Sequence, residues 1–104
     1  MSALTQTFST ILRLSHSFVR GDDTVDIVSD VETYHRQNGY RTIEILSCDV
    51  NRLKEIKTHL AETIAECCTQ NARVHIQIPD GTYNQKPYIS ISIWRNDSRE
   101  LIVE

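Results

Sequence analysis

Residues 73–94 read RVHIQIPDGTYNQKPYISISIW, and their alternation decides the fold. In 73–78, Val74, Ile76 and Ile78 alternate with Arg73, His75 and Gln77. In 88–94, Ile89, Ile91 and Ile93 alternate with Tyr88, Ser90, Ser92 and Trp94. Successive side chains of a strand point to opposite faces, so period two with β-branched residues on one side marks half-buried antiparallel strands. Pro79-Asp80-Gly81, Asn84 and Pro87 punctuate the stretch between them. That connection of about nine residues is longer than a tight hairpin needs.

Upstream, residues 50–68 carry the clearest helix. Val50, Leu53, Ile56, Leu60, Ile64 and Cys67 recur every three or four residues and line one face. Asp49 stands at the N-cap, where a carboxylate accepts from the first-turn amides. Lys54, Glu55, Lys57, Glu62 and Glu66 take the solvent side. A third strand, 41–47, sets Ile43 and Ile45 against Glu44, so residues 41–94 read β-α-β-β. If the two strands flanking the helix are parallel neighbours, the crossover is right-handed.

The first forty residues admit two readings. Leu4, Phe8, Ile11, Leu12, Ser15 and Val19 fit a helical stripe, and Phe8, Leu12, Leu14 and Phe18 fit a strand almost as well. Length and the lack of Gly or Pro before Gly21 favour the helix, while the many Ser and Thr count against it. From Asp22 or Asp23 to Gln37, the placing of Val28, Val31, Tyr34 and His35 predicts a second helix stopped by Asn38-Gly39. Val25 and Ile27 leave a short strand as the alternative there. The tail 100–104, Glu-Leu-Ile-Val-Glu, suits an edge strand or a contact with another subunit. The expectation is one α+β domain over 1–104: an antiparallel sheet of three to four strands, helices on one face, in the order α-α-β-α-β-β.

Composition bounds the function. The chain has 104 residues, 39% apolar and 24% charged, and a net charge of −3. That is enough apolar material for one core and the wrong sign for a general nucleic-acid or membrane-surface binder. Three cysteines, Cys48, Cys67 and Cys68, do not form a secreted disulfide framework. The start is acid-poor and rich in hydroxyls but has only Arg13 and Arg20, fewer cations than an organelle transit peptide. A cytoplasmic location is expected, with Cys67 in the core.

Catalytic motifs are missing from the sequence. His16, His35, His59 and His75 stand apart, no Cys-x-x-Cys or His-Glu-x-x-His occurs, and no Gly-rich phosphate loop appears. No cofactor or metal is expected. Two features suggest binding instead. On the sheet face away from the core, Glu44, Arg73, His75, Gln77, Tyr88, Ser90, Ser92 and Trp94 point the same way. Aromatics and Arg are the side chains that supply contact area at interfaces. Covering by an N-terminal helix, or plain cross-strand pairing, is the simpler account of the same residues. Second, Asp22, Asp23, Asp26, Asp30 and Glu32 give five acids with no base, leaving 11 bases against 9 acids elsewhere. Such a cluster attracts a basic partner, although acids also favour the first turn of a helix.

The expected function is therefore a non-catalytic regulatory or interaction module, an adaptor or inhibitor. It binds a protein partner through Arg73, His75, Tyr88, Trp94, Asp22, Asp23, Asp26 and Asp30, and it self-associates. One alternative is base stacking of nucleic acid on the aromatic face, with Arg41, Arg73, Lys86 and Arg95 as phosphate contacts. Another is a small enzyme with a composite site at His75 and Glu44.

Overall fold

The structure is a computed structural model and describes residues 3–29, 39–67 and 71–104. Its elements are α1 (Ala3–Phe18), β1 (Asp26–Ser29), β2 (Tyr40–Leu46), α2 (Val50–Cys67), β3 (Ala72–Gln77), β4 (Tyr88–Arg95) and β5 (Glu100–Val103). The expected α+β class holds, but the sheet is larger and mixed. Five strands lie in the order β1-β2-β4-β3-β5. All neighbours are antiparallel except β3 and β5, which run parallel.

The N-terminal stripe is a helix, which buries Leu4, Phe8 and Ile11. Ser15, the polar member of that stripe, donates from its hydroxyl to the Ile11 carbonyl at 2.8 Å, so it is buried without an unmet donor. The expected helix over 22–37 fails at its start. Asp26–Ser29 is instead the edge strand β1, with Ile27 opposite Ile45 and packed on the core. Val25 is also in the core, and antiparallel pairing with β2 prevails over the sparse helical spacing. The remainder of that expected helix, including Asp30, Glu32 and His35, lies outside the described residues, as does Cys68.

In α2, Leu53, Ile56, Leu60 and Ile64 are buried as their spacing requires. The two ends of the stripe are not. Val50 and Cys67 are exposed, so the buried stripe runs from Leu53 to Ile64. Asp49 caps as expected: Oδ1 accepts the Arg52 amide at 3.2 Å, and the Leu53 amide donates to the Asp49 carbonyl at 3.1 Å. At the other end Arg99 donates to the Ile64 carbonyl at 3.3 Å and also to the Ala65 carbonyl, placing a cation on the negative pole of the helix.

β2 and β3 both pair antiparallel with β4, so they are parallel to each other with β4 between them rather than direct neighbours. The β2-α2-β3 unit is thus a split crossover. Both helices pack on one face of the sheet, over Ile43, Ile45, Val74, Ile76, Ile89, Ile91 and Ile93. Each of these side chains contributes about 1.5–3 kcal/mol of transfer free energy.

The long β3–β4 connection contains its own tight turn. Tyr83 and Lys86 exchange backbone hydrogen bonds of 2.9 and 3.1 Å across Asn84 and Gln85, both at positive φ. Two positive-φ residues in succession match the twist of a hairpin, as in a type I′ turn. The turn brings the Tyr83 ring within 5.8 Å of Tyr88.

Candidate functional site

The sheet face turned away from both helices is a ladder of polar and aromatic side chains. Register sets it out in rows. Tyr40, Trp94 and Arg73 form the first; Thr42, Ser92, His75 and Ile102 the second; Glu44, Ser90 and Gln77 the third; Leu46 and Tyr88 the last. All are half-buried except Leu46, which is 1% exposed. Thus Arg73, His75, Tyr88 and Trp94 do share one face, and the isoleucine row beneath them is sealed.

Each row has its own chemistry. Arg73 places its guanidinium carbon 4.6 Å above the Trp94 ring, and Tyr40 lies 5.9 Å away on the other side. A cation over indole beside a phenol leaves these side chains few rotamers to freeze. In the second row, His75 Nε2 lies 3.2 Å from Glu104 Oε1. The two are close enough to pair when the imidazole is protonated but are not aligned as a hydrogen bond, and buried Nε2 has no hydrogen-bond partner. At the last row, Asp26 and Tyr88 sit opposite Leu46 from either side. Lys86, two residues before Tyr88, reaches Asp26 Oδ2 at 3.1 Å. This ion pair spans β2 at Leu46 and raises the Lys86 pKa.

The acidic residues do not extend this surface as one patch. Asp22 belongs to the helix side, where Thr24 donates to Oδ1 from both its hydroxyl and its amide, and Arg52 donates to Oδ2 at 3.0 Å. The Thr24 hydroxyl first, then the Thr24 amide and Arg52, lower the Asp22 pKa. Asp26 is six residues along the ladder from the Trp94 row, about 20 Å at strand rise. Asp23 is exposed, and Asp30 lies outside the described residues.

Of the cations expected to hold phosphates, only Arg73 lies in these rows. Arg41 is 4% exposed on the helix side, its guanidinium carbon 3.7 Å over the Phe8 ring. Lys86 is held by Asp26, and Arg95 ends β4. Neither of the two described surface grooves is lined by His75 or Glu44.

Several contributors to the face escape the sequence reading, among them Leu46 and Val28, which pairs with Glu44. Tyr40 and Thr42 follow from running the Glu44 alternation back two more steps. Ile102 and Glu104 reach the face only through the parallel pairing of β5 with β3, for which no local signal exists. Among the described residues no three His, Cys, Asp or Glu side chains gather as a metal site requires, and no helix is long and apolar enough to cross a membrane. No family model, curated protein or solved structure matches this chain.

Proposed function

We propose that this chain is a protein-binding module without catalytic activity, which engages its partner through the open sheet face and self-associates through β5. The observation that supports this reading is the Arg73–Trp94–Tyr40 row, preassembled on a sheet face away from both helices. Trp, Tyr and Arg are the residues most often energetically dominant in interfaces, and here their geometry is set before a partner arrives. Capture from native lysate tests it. Wild type retains a partner that Trp94→Ala loses; equal capture by both proteins overturns the role of this face.

Self-association has a structural route. β5 is an outermost strand of the sheet, and Val103 is 45% exposed. An unpaired edge with Leu-Ile-Val at its centre is a template for another strand. An antiparallel partner that extends the sheet opposes residues of like facing. Centring on Ile102 sets Glu100 against Glu104 of the second copy, which like charges disfavour. Centring on Leu101 sets Glu100 against Ile102 and leaves Leu101 on Leu101, and this is the register we favour. Light scattering across a concentration series checks it: a strict monomer at high micromolar concentration refutes the self-association.

A further inference from the structure

Charge is segregated along this chain. Residues 1–20 contain Arg13 and Arg20 and no acid, so the remaining 84 residues hold 9 bases against 14 acids, a net −5. Six other cations are engaged within the molecule: Arg52 with Asp22 and Glu55, Lys86 with Asp26, Lys57 with the Glu104 main-chain oxygen, Arg99 with the end of α2, and Arg41 and Arg73 over the Phe8 and Trp94 rings. The Arg13 and Arg20 side chains have no hydrogen bond or ion pair among the described residues; the Arg20 amide donates to the Ser17 carbonyl at 3.4 Å. Instead both line one surface groove of about 530 Å³, with Leu14, His16 and Ser17. Cations in a last helical turn complement the macrodipole, which accounts for His16 and for Arg20 just beyond it. It does not account for Arg13, which stands five residues before the Phe18 terminus.

We propose that this groove on the outward side of α1 binds a phosphate-bearing small molecule, gripped by the Arg13 and Arg20 guanidinium groups. They are seven residues apart in sequence, Arg20 two residues past the end of α1, and they line the same groove, so both long side chains can converge on one polyanion. Guanidinium forks match phosphate oxygens two at a time, which a point charge does not. The Ser17 hydroxyl, one turn from each arginine, adds a donor between them. Leu14 and the arginine stems give an apolar wall for the uncharged part of the ligand. The volume falls within the range of small-molecule sites, roughly 300–1,000 Å³. This site is separate from the open sheet face and stands or falls apart from it.

The test is an amide NMR titration of the full chain with inorganic tripolyphosphate. Saturable shifts at residues 13–20 are expected. Arg13→Ala/Arg20→Ala should weaken binding about tenfold or more, the scale of losing one charge-assisted hydrogen bond. Arg13→Lys/Arg20→Lys, which keeps charge and removes the forks, should also weaken it. Arg95→Ala, which removes an exposed cation outside the groove, should leave it unchanged. The proposal is overturned by shifts that do not saturate, by an equal loss in Arg95→Ala, or by tighter binding of a poly-glutamate peptide than of tripolyphosphate.

Discussion

Truncating Ile93 and its neighbour Trp94 to alanine, one at a time, separates the two faces of the sheet. Ile93 is 0% exposed and packs between the central strand and the helices. Removing its branched side chain deletes buried methyl groups and leaves a cavity, at about 2–5 kcal/mol. Trp94 faces the other way. Its losses are a cation–π contact with Arg73, about 0.5–1 kcal/mol where solvent reaches, and a ring contact with Tyr40 of about 0.5–1.5 kcal/mol. From these two contacts Trp94→Ala should cost about 1–2.5 kcal/mol, although it removes far more atoms. At roughly 4–8 °C per kcal/mol for a domain near this size, Ile93→Ala should lower Tm by about 10 °C or more and Trp94→Ala by clearly less. Thermal and urea unfolding followed by circular dichroism give both numbers. A Trp94→Ala loss of about 3–5 kcal/mol, the cost for a core tryptophan, would show the indole to be structural and end the reading of this face as a binding surface.

Three further outcomes follow from the same geometry. The Glu104 amide donates to the Ile76 carbonyl at 2.9 Å, so by alternation the amides of Leu101 and Val103 point outward from β5; Val103→Pro should abolish self-association in light scattering while leaving the monomer folded, and an unchanged mass would refute edge pairing. Asp22 titrates below the usual carboxylate range because of Thr24 and then Arg52, so its stabilising contribution is complete above about pH 4 and is lost as pH falls through the lowered value; Thr24→Val should raise the Asp22 pKa in a carboxyl NMR titration, and no change would refute the cause. Cys48 and Cys67 are both exposed, so each should react with a thiol reagent in the folded protein without denaturant, and protection of Cys67 would restore it to the core.

Alternation made the two faces of β2, β3 and β4 legible, because each buried inward position but Arg41 is isoleucine, valine or alanine and each outward one but Leu46 is polar or aromatic. Arg41 is the instructive exception. It occupies an inward position of β2, where its guanidinium stacks on Phe8 from α1, a contact 33 residues distant in sequence. In the sequence it reads instead as a phosphate contact in the nucleic-acid alternative. Residues 26–29 misled for the opposite reason: four residues are too few to establish a period, and pairing with β2 decides their conformation. The pairing of β5 was unreadable because its partner is β3, reached by the connection from β4 passing over the start of β3, where the Asn96 amide donates to the Asn71 carbonyl at 3.2 Å.

The same tethers explain why so short a strand as β5 can serve as an interaction edge. Four residues pairing on one side gain little against the backbone entropy of ordering them, roughly 1–2 kcal/mol each. Here the strand is fastened at both ends. Arg99 at its start is bound to the C-terminal carbonyls of α2, and Glu104 at its end bonds through its amide to Ile76 and through its main-chain oxygen to Lys57 at 2.7 Å. Between these anchors Leu101 packs against the core. The ordering is completed by folding, so an incoming strand meets an edge already extended and does not offset that entropy from its own binding free energy. Under the proposed edge pairing, Arg99 and Lys57 would be determinants of its affinity through their main-chain partners, because they hold β5 in shape from the helix side.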